Sequence, residues 1–251
     1  MAPIRQIEKK LAGPTQNAEL LRRYIGAVMS GQRSEDEQSR LIYWGHKVST
    51  QRRIAKERFS FSHLGEDAQW DLWLAVWNDA KIYDVKSVAL LWLGAPERRA
   101  LRLRRWRDVM AMASTIDNWA HSDGLSSILA EILEDRPLFF GRLKKWNVSK
   151  NPWLRRQSLV AIYYYARSRK KPIPVAQALP LVKRLLRDPH FYVQRGVGWT
   201  LREVDRVDTR KQRAFVRKHV HHISATAWFA TSELYPIRLR KQLVALRRAQ
   251  R

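Results

Sequence analysis

Apolar residues recur along the chain at helical spacing. Leu181, Val182, Leu185 and Leu186 fall on one stripe, and Leu154, Leu159 and Ile162 on another. No stretch rich in Val, Ile and Thr alternates for more than a few residues, so no strand is predicted. Pro152, Pro180 and Pro189 each precede an amphipathic run and read as helix starts, where a missing N–H is harmless. Polar or proline-containing breaks recur near 31–37, 94–97, 147–152, 168–174 and 187–190. None is long enough to separate domains as a flexible linker. The pattern predicts an all-α chain forming a single helical repeat domain over residues 1–251. The first residues and the basic tail 239–251 are expected to be loose.

A faint repeat runs through these helices. Val85-Lys86-Ser87-Val88-Ala89, Leu154-Arg155-Arg156-Gln157-Ser158 and Val193-Gln194-Arg195-Gly196-Val197 share an order of apolar, basic and small residues. Their first residues lie 69 and 39 apart, two repeats and then one. A helical period of about 35–40 marks HEAT-type helix pairs, stacked in a curved solenoid whose inner helices line a concave groove. An irregular helical bundle is the alternative.

Charge gives the groove a character. The chain has 48 Lys and Arg against 23 Asp and Glu, a formal charge of +25. Residues 1–135 hold 20 cations and 18 acids, whereas residues 136–251 hold 28 cations and only 5 acids. A face that merely keeps the protein in solution needs far less. Nucleic acid is the commonest partner for such a surplus. With 45% hydrophobic residues the chain can build a core, so this is no disordered basic tail. No cysteine is present, which removes disulfides, cysteine–zinc sites and thiol catalysis. The apolar runs are too short to span a bilayer, and the opening MAPIRQIEKKL lacks the apolar core of a signal peptide. A soluble, cytoplasmic, nucleoid-associated protein of bacterial type is expected.

Eleven tryptophans are several times the usual share. Trp70, Trp73, Trp77 and Trp92 are assigned to packing. Trp119 differs, because Asp123 lies four residues on and shares its helix face. Trp199 likewise follows Arg195 by four. Trp119 to Arg156 is 37 residues and Arg156 to Arg195 is 39. If the repeat holds, these side chains occupy matching places on three successive inner helices. A carboxylate repels phosphate, so binding alone does not favour one in a basic groove. It becomes useful where positive charge develops. Indole faces attract cations too, by about 0.5–2 kcal/mol each. A purine alkylated at N7 or N3 is a cation, and its sugar becomes oxocarbenium-like as the glycosidic bond breaks. Asp123 could stabilise that charge and hold the attacking water. Taken alone, Asp123 also reads as a solvated or salt-bridged helix acid.

Three windows resemble the AlkD-type DNA alkylation repair glycosylases, a family of HEAT-like repeat proteins. Trp119-x-x-x-Asp123 matches the family's tryptophan and catalytic aspartate. Asn151-Pro152-Trp153-Leu154-Arg155-Arg156 resembles its Asn-x-Trp-Leu-x-Arg segment. Phe191 to Glu203, with Gly198-Trp199 and Leu201-Arg202-Glu203 in register, is similar to the window holding the second active-site tryptophan. The resemblance spans about residues 20–235 and is weak before residue 80. One departure stands out: the family often has Asp directly after the first tryptophan, where this chain has Ala120-His121.

The resemblance implies excision of cationic N3- and N7-alkylpurines from duplex DNA in base excision repair, probing backbone and sugar without a base-flipping pocket. It implies Asp123 as catalytic carboxylate, Trp119 and Trp199 flanking the lesion, and Arg156 on a phosphate. Arg155, Arg195 and Tyr24 join Arg156 as expected DNA contacts. It further implies a monomer; no cofactor, metal or membrane is expected. Some relatives bind DNA without chemistry, so a non-catalytic HEAT-repeat DNA-binding protein is the alternative. A protein-binding scaffold fits the charge less well. Six phosphate contacts would give a log–log salt slope near about −5.

Other features carry less. His219, His221 and His222 cluster without an acid at metal-ligand spacing. The run Arg98, Arg99, Arg102, Arg104, Arg105 and Arg107 reads equally as a second DNA contact or a solvated face. Tyr163-Tyr164-Tyr165 reads as core plus rim. No Walker loop, dinucleotide fingerprint or hydrolase elbow occurs.

Overall fold

A computed structural model describes residues 2–25 and 39–249. The predicted break at 31–37 and the last two residues lie outside that description. Fifteen α-helices are present among the described residues, and the only strand-like pairing is an isolated bridge between Ile42 and Ile82. The all-α expectation therefore holds. The chain divides into two compact units, Met1–Ile128 and Leu129–Arg251. None of the described helices is long and apolar enough to cross a membrane.

The first unit contains α1 (Pro3–Leu11), α2 (Ala18–Ile25), α3 (Val48–Ala55), α4 (Glu66–Asp79), α5 (Tyr83–Leu93), α6 (Arg99–Arg104), α7 (Trp106–Met112) and the start of α8 (Trp119–Asp135). Helix α5 is buried nearly all round, including Val85, Val88, Ala89 and Leu93. A helix without a polar face belongs in the middle, and α1, α3 and α4 pack on it. From Pro3 the opening segment is helical, with Ile7 and Leu11 of α1 buried.

The four tryptophans assigned to packing do pack. Trp70, Trp73 and Trp77 are buried on α4, and Trp92 stacks on Trp73 with ring centroids 5.3 Å apart. Two of the four indole N–H groups find partners in the core: Trp70 donates to Asp108 at 3.0 Å and Trp77 to Thr115 at 2.9 Å.

The arginine run after α5 is a brace. Arg102 is buried and donates to the carbonyls of Leu93 at 3.1 Å and Ala95 at 2.5 Å, satisfying the end of α5. Arg105 bridges Asp67, Asp71 and Asp108. Arg98 lies 3.8 Å over the Trp92 ring. Much of this charge is thus neutralised by α4 and α7 or laid on an indole.

The second unit holds the rest of α8, then α9 (Phe140–Trp146), α10 (Pro152–Val160), α11 (Val175–Leu185), α12 (Phe191–Val207), α13 (Thr209–His219), α14 (Ala225–Thr231) and α15 (Ile237–Ala249). Pro152 opens α10 behind an Asn151 cap, whose side chain accepts from the Trp153 N–H at 2.8 Å. Pro180 does not open a helix. It sits inside α11, which starts at Val175 after Pro174. The buried stripe of Val175, Ala178, Leu181, Val182 and Leu185 carries the helix past it. Pro180 and Ala176 are both exposed, so the carbonyl left without its donor can meet water. The tail expected to be loose from Leu239 is helical to Ala249, with Leu243 buried.

Helix α12 is the centre of this unit, with α10, α11, α13 and α14 packed on it. Gly198 explains how α14 comes so close. A Cβ added there would lie 2.2 Å from the Ala227 carbonyl oxygen. Gly198→Ala should gain about 1 kcal/mol of helix propensity if α14 were elsewhere. Here it must push two backbones apart, and a net loss of about 2–3 kcal/mol is expected. The sign of the change in urea midpoint decides between the two.

Tyr163 is buried and its hydroxyl donates to the Ile173 carbonyl at 2.5 Å, whereas Tyr164 is half-buried and Tyr165 exposed. Core plus rim is what the triplet shows. Tyr165 also has a left-handed backbone, φ 48° and ψ 69°. That conformation costs a non-glycine residue about 1–3 kcal/mol and persists only where surrounding bonds impose it.

Candidate functional site

In the first unit the site residues gather at the start of α8. Asn118 caps the helix: its Oδ1 accepts the His121 backbone N–H at 2.9 Å. Trp119 is the first helical residue and Asp123 follows one turn later, both half-buried. Tyr24, on the last turn of α2, stands edge-on to Trp119, with centroids 5.4 Å apart and planes at 87°. The indole N–H of Trp119 donates to the Tyr24 carbonyl at 3.3 Å. Two of the expected residues are thereby joined across 95 positions of sequence.

An apolar cluster supports them. Ile25, Tyr43 and Tyr83 are buried together, and Leu21, Leu41, Trp119 and Ala120 pack against them. The segment between α2 and α3 is clipped by Asp84 of α5, which accepts the N–H groups of Trp44 at 2.8 Å and His46 at 2.9 Å. Gly45 lies between them with φ 83°, and an added Cβ there would meet the Ala18 nitrogen at 2.4 Å. Only glycine lets this segment lie against the start of α2.

His121, part of the departure from the family pattern, is buried beneath this helix start. Asn118 accepts the His121 backbone N–H through Oδ1, so its amide group donates to His121 Nδ1 at 3.0 Å. That leaves Nε2 to carry the proton and donate to Ser87 Oγ at 2.9 Å, and Ser87 in turn donates to the Tyr83 carbonyl. The ring stacks on Tyr83 at 4.5 Å. Burial first, and then the Lys86 charge, push this imidazole down to about 3. Burial also lowers Lys86, whose ammonium lies 4.8 Å over the Trp77 ring.

In the second unit Trp199 lies on α12, one turn after Arg195. Tyr164 stacks on it at 5.5 Å and 27°, and Tyr165 meets it edge-on at 6.4 Å. The Arg202 guanidinium lies 5.5 Å over the same indole. Spacing alone does not single out Tyr164 or Tyr165 as neighbours of Trp199. The hint in sequence is the cationic run Arg167-Ser168-Arg169-Lys170-Lys171, which begins one residue after the tyrosine triplet.

The expected DNA contacts differ in environment. Arg195 is exposed and makes no ion pair among the described residues. Arg156 is buried; it donates to the Tyr192 carbonyl at 2.9 Å and its side chain faces Gly196. Arg155 holds Asp188 through two bonds of 2.6 and 3.1 Å and reaches the carbonyls of Ser149 and Lys150. The five acids of residues 136–251 are all in ion pairs: Asp188, Glu203, Asp205, Asp208 and Glu233. With 28 cations over the same span, most of the positive charge is left for a partner. His221 and His222 lie with rings 3.9 Å apart, but no group that could hold a metal occurs among the described residues.

The fold and these side chains define an all-helical protein in which aromatic rings surround a carboxylate-bearing helix start and, separately, a basic helix. A sequence profile of the DNA alkylation repair enzymes matches residues 12–232. The chain belongs to that family, and its role is in DNA repair. Its fold is shared with a solved structure from Enterococcus faecalis described as a predicted DNA alkylation repair enzyme. That protein is 14% identical, with a TM-score of 0.64 over 84% of this chain and 95% of the other. A second structure, smu.31 from Streptococcus mutans UA159, is 14% identical with a TM-score of 0.46, over 80% and 90%. No curated protein matches the chain.

Proposed function

We propose that the protein is a DNA glycosylase that excises cationic N3- and N7-alkylated purines from duplex DNA, acting as a monomer without a cofactor and without flipping the base. The observation that carries this reading is the pairing of Trp119 and Asp123 on one capped turn, with Tyr24 set edge-on against the indole. A carboxylate one helical turn beyond an indole suits a cation better than a phosphate.

In this reading the alkylated purine already carries positive charge. When the C1′–N bond breaks, its electron pair goes to the purine nitrogen and the base leaves neutral. The charge passes to the sugar as an oxocarbenium ion, where Asp123 stabilises it. Water adds to C1′, and its proton passes to Asp123 or to solvent. Trp119 lies beside the nucleotide, and Trp199 is the second tryptophan that the family resemblance implies at a lesion. Arg195 meets the phosphates directly. The buried Arg156 lends its charge from beneath the surface, Arg155 is held by Asp188, and Tyr24 lies beside the lesion.

The test is incubation with duplex DNA containing 7-methylguanine, followed by chromatography of the freed bases. Free 7-methylguanine in equal amount to new abasic sites is expected. Tight, salt-sensitive duplex binding with no base released would instead support the non-catalytic DNA-binding alternative.

A further inference from the structure

The turn from Tyr165 to Lys171 lies between α10 and α11, and two carboxylates pin it. Glu203, buried on α12 and paired with Arg202 and Arg206, accepts the Ala166 N–H at 3.1 Å. Glu134 on α8 accepts the N–H groups of Lys170 at 2.5 Å and Lys171 at 3.0 Å, and pairs with Arg169 at 3.5 Å. The Tyr165 carbonyl is bound again by the Ser168 N–H at 2.9 Å and hydroxyl at 2.8 Å. These bonds impose the left-handed backbone on Tyr165 and hold its ring 58% exposed, beside Trp199.

Arg167, Lys170 and Lys171 are exposed on this fixed turn, and none makes an ion pair among the described residues. Three cations held close together repel one another. A turn that only joined two helices would need neither the strained tyrosine nor the two anchors. A nucleic-acid strand offers the complement: one phosphate charge for about every 3.4 Å of helix axis, with a sugar between successive phosphates.

We propose that Tyr165–Lys171 is a DNA-backbone contact. Arg167, Lys170 and Lys171 engage neighbouring phosphates, and the Tyr165 ring lies against the intervening sugar. The strand is thereby fixed in front of Trp199. This inference rests on the reading that duplex DNA is the partner.

The experiment is fluorescence anisotropy of the full chain with a labelled, undamaged duplex at several salt concentrations. The triple variant Arg167→Ala/Lys170→Ala/Lys171→Ala should lower the log–log salt slope by about 2–3. Tyr165→Gly relieves the backbone, so it should melt no earlier than wild type yet bind about ten-fold more weakly. An unchanged slope in the triple variant overturns the phosphate contact. Wild-type affinity in Tyr165→Gly overturns the role of the ring. If the wild type itself binds no duplex and frees no 7-methylguanine, both this inference and the glycosylase reading fall. If it does both while the triple variant keeps its slope, only the turn contact falls.

Discussion

Asp123→Asn is expected to slow release of 7-methylguanine from duplex DNA by about 10²–10³-fold while leaving affinity nearly unchanged. The side chains are close in size, so packing around the second turn of α8 survives. What is lost is a full negative charge facing a sugar that becomes positive only as the bond breaks. A preorganised charge of that kind contributes about 3–4 kcal/mol to the transition state. It contributes little to binding the undamaged backbone, where a carboxylate near phosphates is mildly unfavourable. The measurement is single-turnover release at saturating enzyme, beside a binding titration at the same salt. Release at the wild-type rate would show that the carboxylate is not the stabilising group. Equal loss of rate and affinity would point to a site that had come apart.

The sequence carried most of the fold, because helices are specified locally. Apolar stripes and the Asn151-Pro152 start are read from neighbours a few residues away, and α10 lies where they indicate. Pro180 misleads for the same reason. Its local effect is to stop helices, yet burial of Leu181, Val182 and Leu185 carries α11 through it. Likewise a dense arginine run looks alike whether it faces solvent or acids. The partners of Arg105 on α4 are 34 and 38 residues away.

The site was legible in part. Trp119 and Asp123 share a turn, which spacing alone reveals. The contact of Tyr24 with Trp119 and the anchoring of Tyr165 by Glu203 depend on tertiary packing that spacing does not encode. His121 is the sharpest case. In sequence it is only a departure from Asp, whereas in the fold it joins α8 to α5 through Asn118 and Ser87.

That linkage makes the second large prediction, a loss of stability in mild acid that depends on His121. The folded protein holds this imidazole neutral down to about 3, whereas in the unfolded chain it takes a proton near its ordinary value of 6.5. Between those values the unfolded state binds more protons. Stability from this group is therefore fully present above about pH 6.5 and falls as the pH drops toward 3. Each pH unit is worth about 1.4 kcal/mol once the unfolded histidine is protonated, so by pH 4.5 the loss is about 2–3 kcal/mol. Exposed carboxylates add a slope of their own, which a reference variant removes. His121→Gln keeps a polar side chain near Asn118 and Ser87 but cannot titrate. It should be less stable than wild type at pH 7.5 by about 1–3 kcal/mol, from lost packing on Tyr83 and imperfect hydrogen bonds. On acidification the gap should close, because only wild type must expel a proton to fold. Urea unfolding of both proteins from pH 7.5 to 4.5 reads this directly. Parallel curves would mean that His121 is protonated in the folded state, and that the Asn118–His121–Ser87 chain does not set the start of α8.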